Sequence, residues 1–241
     1  MELTDKVALI TGAGVRIGRA LALALAQRGA HVLVHYHTSE GEAQEVVERI
    51  RQMGRRALAV RADLRDAARA GQLVERGVEA LGGVDVLINS AAIFRRGTLA
   101  ETDERLWDDH FAINLKAPFF LCQAFARQIG DRRGHIINIA DWRAVQPGTA
   151  YVAYYLTKAA LVTMTQSLAQ ALGPNVQVNA IAPGAILPPP GDDGSYFQRL
   201  ARQVPLKRTG SLEEVVKAAL YLLDADFVTG ELLFVDGGEH L

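Results

Sequence analysis

Seven short, mostly apolar runs, each separated from the next by a stretch with helical periodicity, constrain this chain more than any other feature. The runs are KVALIT (6–11), HVLVHY (31–36), RALAVRAD (56–63), VDVLINS (84–90), GHIINIA (134–140), VQVNAIAP (176–183) and ELLFVDGG (231–238). After the first run, apolar residues fall at 17, 20, 21, 24 and 25, one face of a helix that Gly29 ends. Before the last, Leu212, Val215, Val216, Ala219, Leu220 and Leu223 keep a 3-4-3-4-3 spacing. Further helices are expected over 39–53, 66–81, 102–130 (one long helix or a pair) and 150–172. Strands separated by helices predict parallel βαβ units with right-handed crossovers. Runs that are apolar throughout, rather than alternating, suit a sheet covered on both faces. No linker, repeat or low-complexity segment divides the chain. The expected fold is therefore α/β: one doubly wound domain over 1–241, with about seven parallel strands and helices on both faces.

Composition narrows the partners. A net charge of -1 with no long run of like charge argues against nucleic acid, which needs a concentrated Lys/Arg surface. The apolar stretch in MELTDKVALITG is too short for a signal peptide or a membrane span. Cys122 is the one cysteine, so an intramolecular disulfide and a multi-cysteine metal site are excluded, and a reducing cytoplasm is the expected location. The six histidines show no HExxH spacing, and no metal is expected. In HFAINLKAPFFLCQAFARQI and YVAYYLTKAALVTMTQSLAQAL apolar residues cover more than one face. Such helices either lie under a loop or pack against another subunit, and the second reading predicts an oligomer.

Ligands of doubly wound sheets bind beyond the carboxyl ends of the strands. TGAGVRIG (11–18) stands at the first such end and opens the first helix. Gly12 suits a tight turn, Gly14 a close approach of backbone to phosphate, and Gly18 close helix–strand packing. The helix amino terminus then offers N–H groups and partial positive charge to a pyrophosphate, as in a Rossmann-type dinucleotide site. NAD sites of this type carry an acid near the end of the second strand for the ribose 2′-OH. Here that strand ends His35, Tyr36, His37, Thr38, Ser39, with no acid before Glu40. Hydroxyls and an imidazole, with Arg16 in the neighbouring turn, favour a 2′-phosphate and hence NADP(H). His35 also reads as a core histidine, and the whole stretch as a solvated strand end.

Tyr154-Tyr155-Leu156-Thr157-Lys158 puts Tyr154 and Lys158 four apart on one helical face. A phenol with a pKa near ~10 is a poor acid–base group at neutral pH, and a nearby ammonium is expected to lower it. Tyr151 and Tyr155 compete for the role, but only Tyr154 has Lys at the fourth following position.

With this pair, the chain resembles the short-chain dehydrogenase/reductase family over essentially its full length. The matching pieces stand in order: TGAGVRIG, ADL (62–64), NSAA (89–92), Asn114, YYLTK, PG (183–184) and VDGG (235–238). The resemblance implies that Asp63 borders the adenine and that Asn89 and Ala91 line the cofactor. It places Pro183 and Gly184 beside the nicotinamide, and adds Ile17, Leu64 and Ile186 to the cofactor site. It also implies a water-linked proton relay between Asn114 and Lys158, with Lys158 binding the nicotinamide ribose. A homotetramer with the 102–130 and 150–172 helices at one interface is implied too, as is a substrate lid over about 185–205. In that lid Pro188, Pro189 and Pro190 stiffen the chain, and Gly191 and Gly194 flank Asp192-Asp193.

Two departures from the family pattern are informative. Arg16 stands where a third glycine is usual, and Asp141, thirteen residues before Tyr154, stands where a serine holds the substrate carbonyl. With HYHTS and Phe94, both resemble the pteridine reductase branch. That resemblance gives Asp141, Tyr154 and Lys158 as catalytic, with Arg16 and Phe94 bordering the substrate. A carboxylate beside Tyr154 opposes Lys158 and suits a nitrogen heterocycle better than a ketone. Asp141 otherwise caps a turn and points away, and Phe94-Arg95-Arg96 otherwise reads as a core anchor with two solvated cations. Three functions follow: reduction of a pterin or similar small heterocycle, reduction of a 3-oxoacyl thioester or small carbonyl compound, and a non-catalytic dinucleotide sensor.

Overall fold

The computed structural model describes residues 1–188 and 195–241. Strands β1 (Val7–Ile10), β2 (His31–Tyr36), β3 (Ala57–Arg61), β4 (Val86–Asn89), β5 (Gly134–Ile139), β6 (Val176–Pro183) and β7 (Leu232–Val235) form one sheet in the order β3-β2-β1-β4-β5-β6-β7. Every neighbouring pair is parallel. The strand order turns back between β1 and β4, and that crevice is where a doubly wound sheet takes its ligand.

Helices α1 (Arg16–Gln27), α2 (Glu40–Gln52) and α8 (Leu212–Asp224) cover one face, and α3 (Ala67–Leu81), α5 (Ala117–Ile129) and α6 (Val152–Leu172) the other. Along β1, Ala8 and Ile10 join the first core while Val7 and Leu9 join the second. Both faces of the strand are therefore buried, which is why its sequence does not alternate. Each fully buried Leu or Phe, such as Leu25 on one side or Phe125 on the other, is worth roughly 1.5–3 kcal/mol of transfer free energy. Local chemistry sets the helix ends. The Asp66 carboxylate accepts from Ala68 N and Arg69 N before α3, and Gly82 closes that helix in the left-handed region at φ 94°. Ser211 and Glu214 form a reciprocal capping box at α8.

Three segments differ from the sequence expectation. The 102–130 helix is α4 (Glu104–Phe111), a π-helical turn over Ala112–Lys116, and α5 with Pro118 in its first turn. Apolar periodicity does not register a π turn, because the apolar face continues through it. A short 3₁₀ turn, Trp142–Ala144, follows β5. Within the expected lid, α7 (Ser195–Gln203) is helical, while Pro189, Pro190, Gly191, Asp192, Asp193 and Gly194 lie outside the described residues. Among the described residues, no helix is long and apolar enough to cross a membrane and no cluster of side chains could hold a metal ion.

Candidate active site

The glycine-rich turn between β1 and α1 is fixed by backbone geometry. Gly12 adopts φ 66°, and a Cβ on Gly18 would sit 2.3 Å from the Gly12 carbonyl oxygen. Both positions therefore require glycine. The space at Gly14 is taken differently from expectation: a Cβ there would meet Ser39 Oγ at 2.9 Å, so this glycine packs the turn against the start of α2. Arg16 is the surprise. It holds φ 52°, a left-handed conformation costly for a residue with a Cβ, and its Nη1 donates to Pro188 O at 3.4 Å. No side chain caps the amino terminus of α1 and no acid stands in its first turn, which leaves that end open to an anion.

Of the two imidazoles near the end of β2, only one faces out. His35 is buried; its Nδ1 accepts from Gly12 N at 3.1 Å and its Nε2 donates to Ala62 O at 3.1 Å. Burial drives its pKa down to about 4, so it is a neutral core strut of the turn. His37 is the more open one, half-buried and 3.7 Å from Asp63 Oδ2, beside exposed Thr38 and half-buried Ser39. Asp63 accepts from Arg65 N and pairs with the Arg65 guanidinium at 2.9 Å, and that arginine holds its carboxyl below the usual range. Ala91 meets the Gly12 turn, and Thr11 Oγ1 accepts from Ser90 N and Ala91 N, both at 3.0 Å, closing the crevice between β1 and β4.

Several residues expected at the cofactor site turn their side chains inward. Asn89 is buried, donating to Asn138 Oδ1 at 2.8 Å and to Cys122 Sγ at 3.4 Å, while its own Oδ1 has no partner. Leu64 and Ile186 are core residues, and Ile17 packs on the first core. Pro183 ends β6, and Gly184 leaves no room for a Cβ against Asp236 Cα at 2.7 Å.

The candidate catalytic corner gathers after β5 and on α6. Tyr154 Oη donates to Asp141 Oδ2 at 2.7 Å, and the other Asp141 oxygen accepts from Arg143 N at 2.8 Å. Asp141 thus caps the 3₁₀ turn and also faces Tyr154; the two sequence alternatives are realised together. Burial, and after it the Arg143 N–H, Tyr154 and nearby cations working against it, leave the Asp141 carboxyl above its usual range. Burial first, then the Asp141 charge, pushes the Tyr154 phenol well above its ordinary value. This corrects the expected depression by Lys158. The ammonium donates to Ile139 O at 2.6 Å and lies 5.6 Å from the Tyr154 ring, and its own pKa is pulled down to about 8 by burial. Asn114, expected in a water-linked relay with Lys158, lies buried in the π turn before α5. Its side chain is spent on Ile93 and Thr157: Oδ1 accepts from Ile93 N at 2.9 Å, and Nδ2 donates to Ile93 O at 3.0 Å and to Thr157 Oγ1 at 3.3 Å. Phe94 stacks on Tyr151 with centroids 4.2 Å apart and meets Tyr154 edge-on at 4.6 Å.

Sequence reasoning missed Glu239. Its Oε2 accepts from Ala185 N at 2.8 Å beside Gly184, and burial raises its carboxyl pKa. It belongs to a tail folded back over the strand ends, where Gln146 Nε2 donates to His240 O. No spacing signal marks a residue that arrives from the far end of the chain.

Comparison with known proteins follows the same geometry. A family model described as enoyl-(acyl carrier protein) reductase matches residues 12–240. The 2-dehydro-3-deoxy-D-gluconate 5-dehydrogenase of Dickeya dadantii is 35% identical, over 98% of this chain and 96% of its own length. A 3-oxoacyl-[acyl-carrier-protein] reductase, FabG, of Staphylococcus aureus is 34% identical over 100% of both. FolM alternative dihydrofolate reductase 1 from Brucella canis, complexed with NADP, superposes with a TM-score of 0.93 at 34% identity, covering 100% of this chain and 96% of that one.

Proposed function

The chain belongs to the short-chain dehydrogenase/reductase family and is an oxidoreductase, and from that premise we propose that it is an NADPH-dependent reductase of a pterin or similar flat nitrogen heterocycle. The cofactor fits the residues present. The β1–α1 turn makes a backbone cradle at an uncapped helix terminus, no acid stands in the sequence between β2 and Glu40 to oppose a 2′-phosphate, His37, Thr38 and Ser39 follow β2 there, and Arg16 stands in the neighbouring turn. FolM, similar over the whole chain, is complexed with NADP. When bound, NADPH supplies the hydride.

The chain's own residues supply the proton and the orientation. Carrying the substrate reading is one observation: the Tyr154 hydroxyl is committed to a carboxylate, Asp141, at 2.7 Å. A ketone oxygen accepts hydrogen bonds only, so a carboxylate facing it is repulsive, whereas a ring N–H or amino group donates to it. Burial raises the Asp141 carboxyl above its usual range, the direction in which a proton relay to a ring nitrogen is helped. Lys158 keeps positive charge below Tyr154, Phe94 offers a ring face to a flat substrate, and Arg16 borders it. The domain spans 1–241, with a substrate lid over about 185–205 of which α7 is the described helix.

A second reading rests on the FabG relative: reduction of a 3-oxoacyl thioester or small carbonyl compound. NADPH oxidation with a dihydropterin, an acetoacetyl thioester and a small diketone separates the two. Turnover of the pterin, reduced by Asp141→Ser, supports the first. Turnover of the carbonyl compounds alone, tolerated or improved in Asp141→Ser, replaces it with the second, and oxidation with none of them returns the dinucleotide sensor.

We further propose a homotetramer. A groove of about 830 Å³ lined by Phe111, Leu115, Phe119 and Met164 runs over α4, α5 and α6, beside exposed Trp107 and Leu156. A second copy of the chain is the occupant this apolar helix face suits. A concentration-independent monomer in sedimentation rejects it.

A further inference from the structure

Phe94 is 59% exposed, yet the backbone on either side of it is tightly held. Before it, Ile93 is gripped at both N–H and C=O by the Asn114 amide. After it, Arg95 is gripped twice by two consecutive residues of α4. His110 Nε2 accepts from Arg95 N at 3.3 Å, and Asp109 Oδ2 takes the Arg95 guanidinium at 2.8 Å. The gripping side chains come from one continuous stretch, 109–114, and all three residues are buried. His110 Nδ1 faces Leu106 O at 2.8 Å, which makes Nδ1 the donor and leaves Nε2 free to accept. Both ring nitrogens are therefore engaged. Behind the ring, Tyr151 stacks at an interplanar angle of 9°.

A mobile surface loop needs none of this. Fixing the backbone before and after an exposed aromatic residue, and backing one face of its ring, removes the entropy that a loop would lose on closing over a ligand. We infer that His110 and Asp109 are positioning residues that hold Phe94 as a preformed wall for a flat ring, so that they set acceptor selectivity without touching the acceptor. This rests on the proposed reading of the site as a slot for a flat heterocycle.

The test compares Phe94→Ala, His110→Phe, which keeps ring volume but loses the acceptor, and His110→Gln, which restores one. The readouts are the KM of a dihydropterin, the KM of a small aliphatic diketone, and amide exchange over 92–97 in the folded protein. His110→Phe is expected to raise the ratio of the two KM values about tenfold, the weight of one lost hydrogen bond that anchors the loop. It should also speed exchange over 92–97, and His110→Gln should reverse both. Equal shifts of the two KM values, unchanged exchange, or no rescue by Gln overturns the inference while Phe94→Ala still raises the ratio. If Phe94→Ala leaves the ratio unchanged, or the dihydropterin does not bind, the slot reading falls and the inference with it.

Discussion

The β1–α1 turn is built of backbone; the β5–α6 end is built of ionisable side chains. The first corner consists of two glycines with no room for a Cβ or in left-handed conformation, an open helix terminus, and a neutral histidine tying the turn to β2 and to the segment after β3. The second consists of buried Tyr154 and Lys158 and half-buried Asp141, all displaced from their ordinary pKa. The difference suits the proposed tasks. Backbone N–H groups bind an anion in one protonation state and need only shape, whereas proton transfer needs groups whose charged and neutral forms lie close in free energy.

Breaking the catalytic corner gives the largest effect. Tyr154→Phe should lower turnover about a thousandfold while NADPH still binds, because the phenolic proton is lost and the cradle is not. Stopped-time NADPH oxidation against cofactor fluorescence checks it, and near-normal turnover removes Tyr154 from the proton path. The second effect is on stability and belongs to the cofactor corner. The folded pKa of His35, about 4, lies below its ordinary 6.5, so between those values the unfolded chain binds a proton that the folded chain refuses. Stability is complete above the upper value and is lost as pH falls through the window, by about 3 kcal/mol from this residue. Burial displaces His135 in the same direction, to about 4. Denaturant unfolding across the window should show the slope, and His35→Gln should flatten part of it; an unchanged slope rejects the assignment.

Gly18→Ala tests shape alone. A methyl group 2.3 Å from Gly12 O should cost roughly 1–3 kcal/mol and weaken NADPH with the acceptor KM less affected. Intact stability together with wild-type cofactor affinity would mean that the turn relaxes freely. Smallest is Arg16→Gly. Relief of φ 52° is offset by the greater freedom of glycine in the unfolded chain, so stability should move by less than about 1 kcal/mol. Loss of the exposed cation should weaken NADPH about fivefold. A large stability gain with unchanged affinity would make Arg16 a strained residue with no ligand role.

The two corners were also unequally legible. The glycine turn, the absence of an acid before Glu40, and the Tyr154–Lys158 spacing are written in short stretches of sequence, because they depend on a strand end, a helix start and one helical face. Reading Asp141 as a residue facing Tyr154 came from its place in the family pattern; its simultaneous cap on Arg143 N emerged only in three dimensions. Lys158 shows why charge effects resist sequence reasoning. A Tyr and a Lys on one face suggest a lowered phenol pKa, yet burial of Tyr154 and the carboxylate beside it outweigh an ammonium that spends its hydrogen bond on Ile139 O. Asn89 and His35 show the same limit: sequence offers each both a ligand and a core role, and only the fold shows their side chains hydrogen-bonded inside it, which for His35 is the core reading.

By itself, then, the sequence determined the doubly wound sheet, the strand ends that carry the site, and the turn that fits a dinucleotide, since hydrophobic period and glycine placement act over a few residues. Tertiary structure decided which polar groups meet. The Tyr154–Asp141 bond, the grip of Asp109 and His110 on Arg95, and the Glu239 contact with Ala185 join segments that come together only when the sheet assembles. Their protonation depends on burial, a property of the whole fold rather than of any stretch of chain.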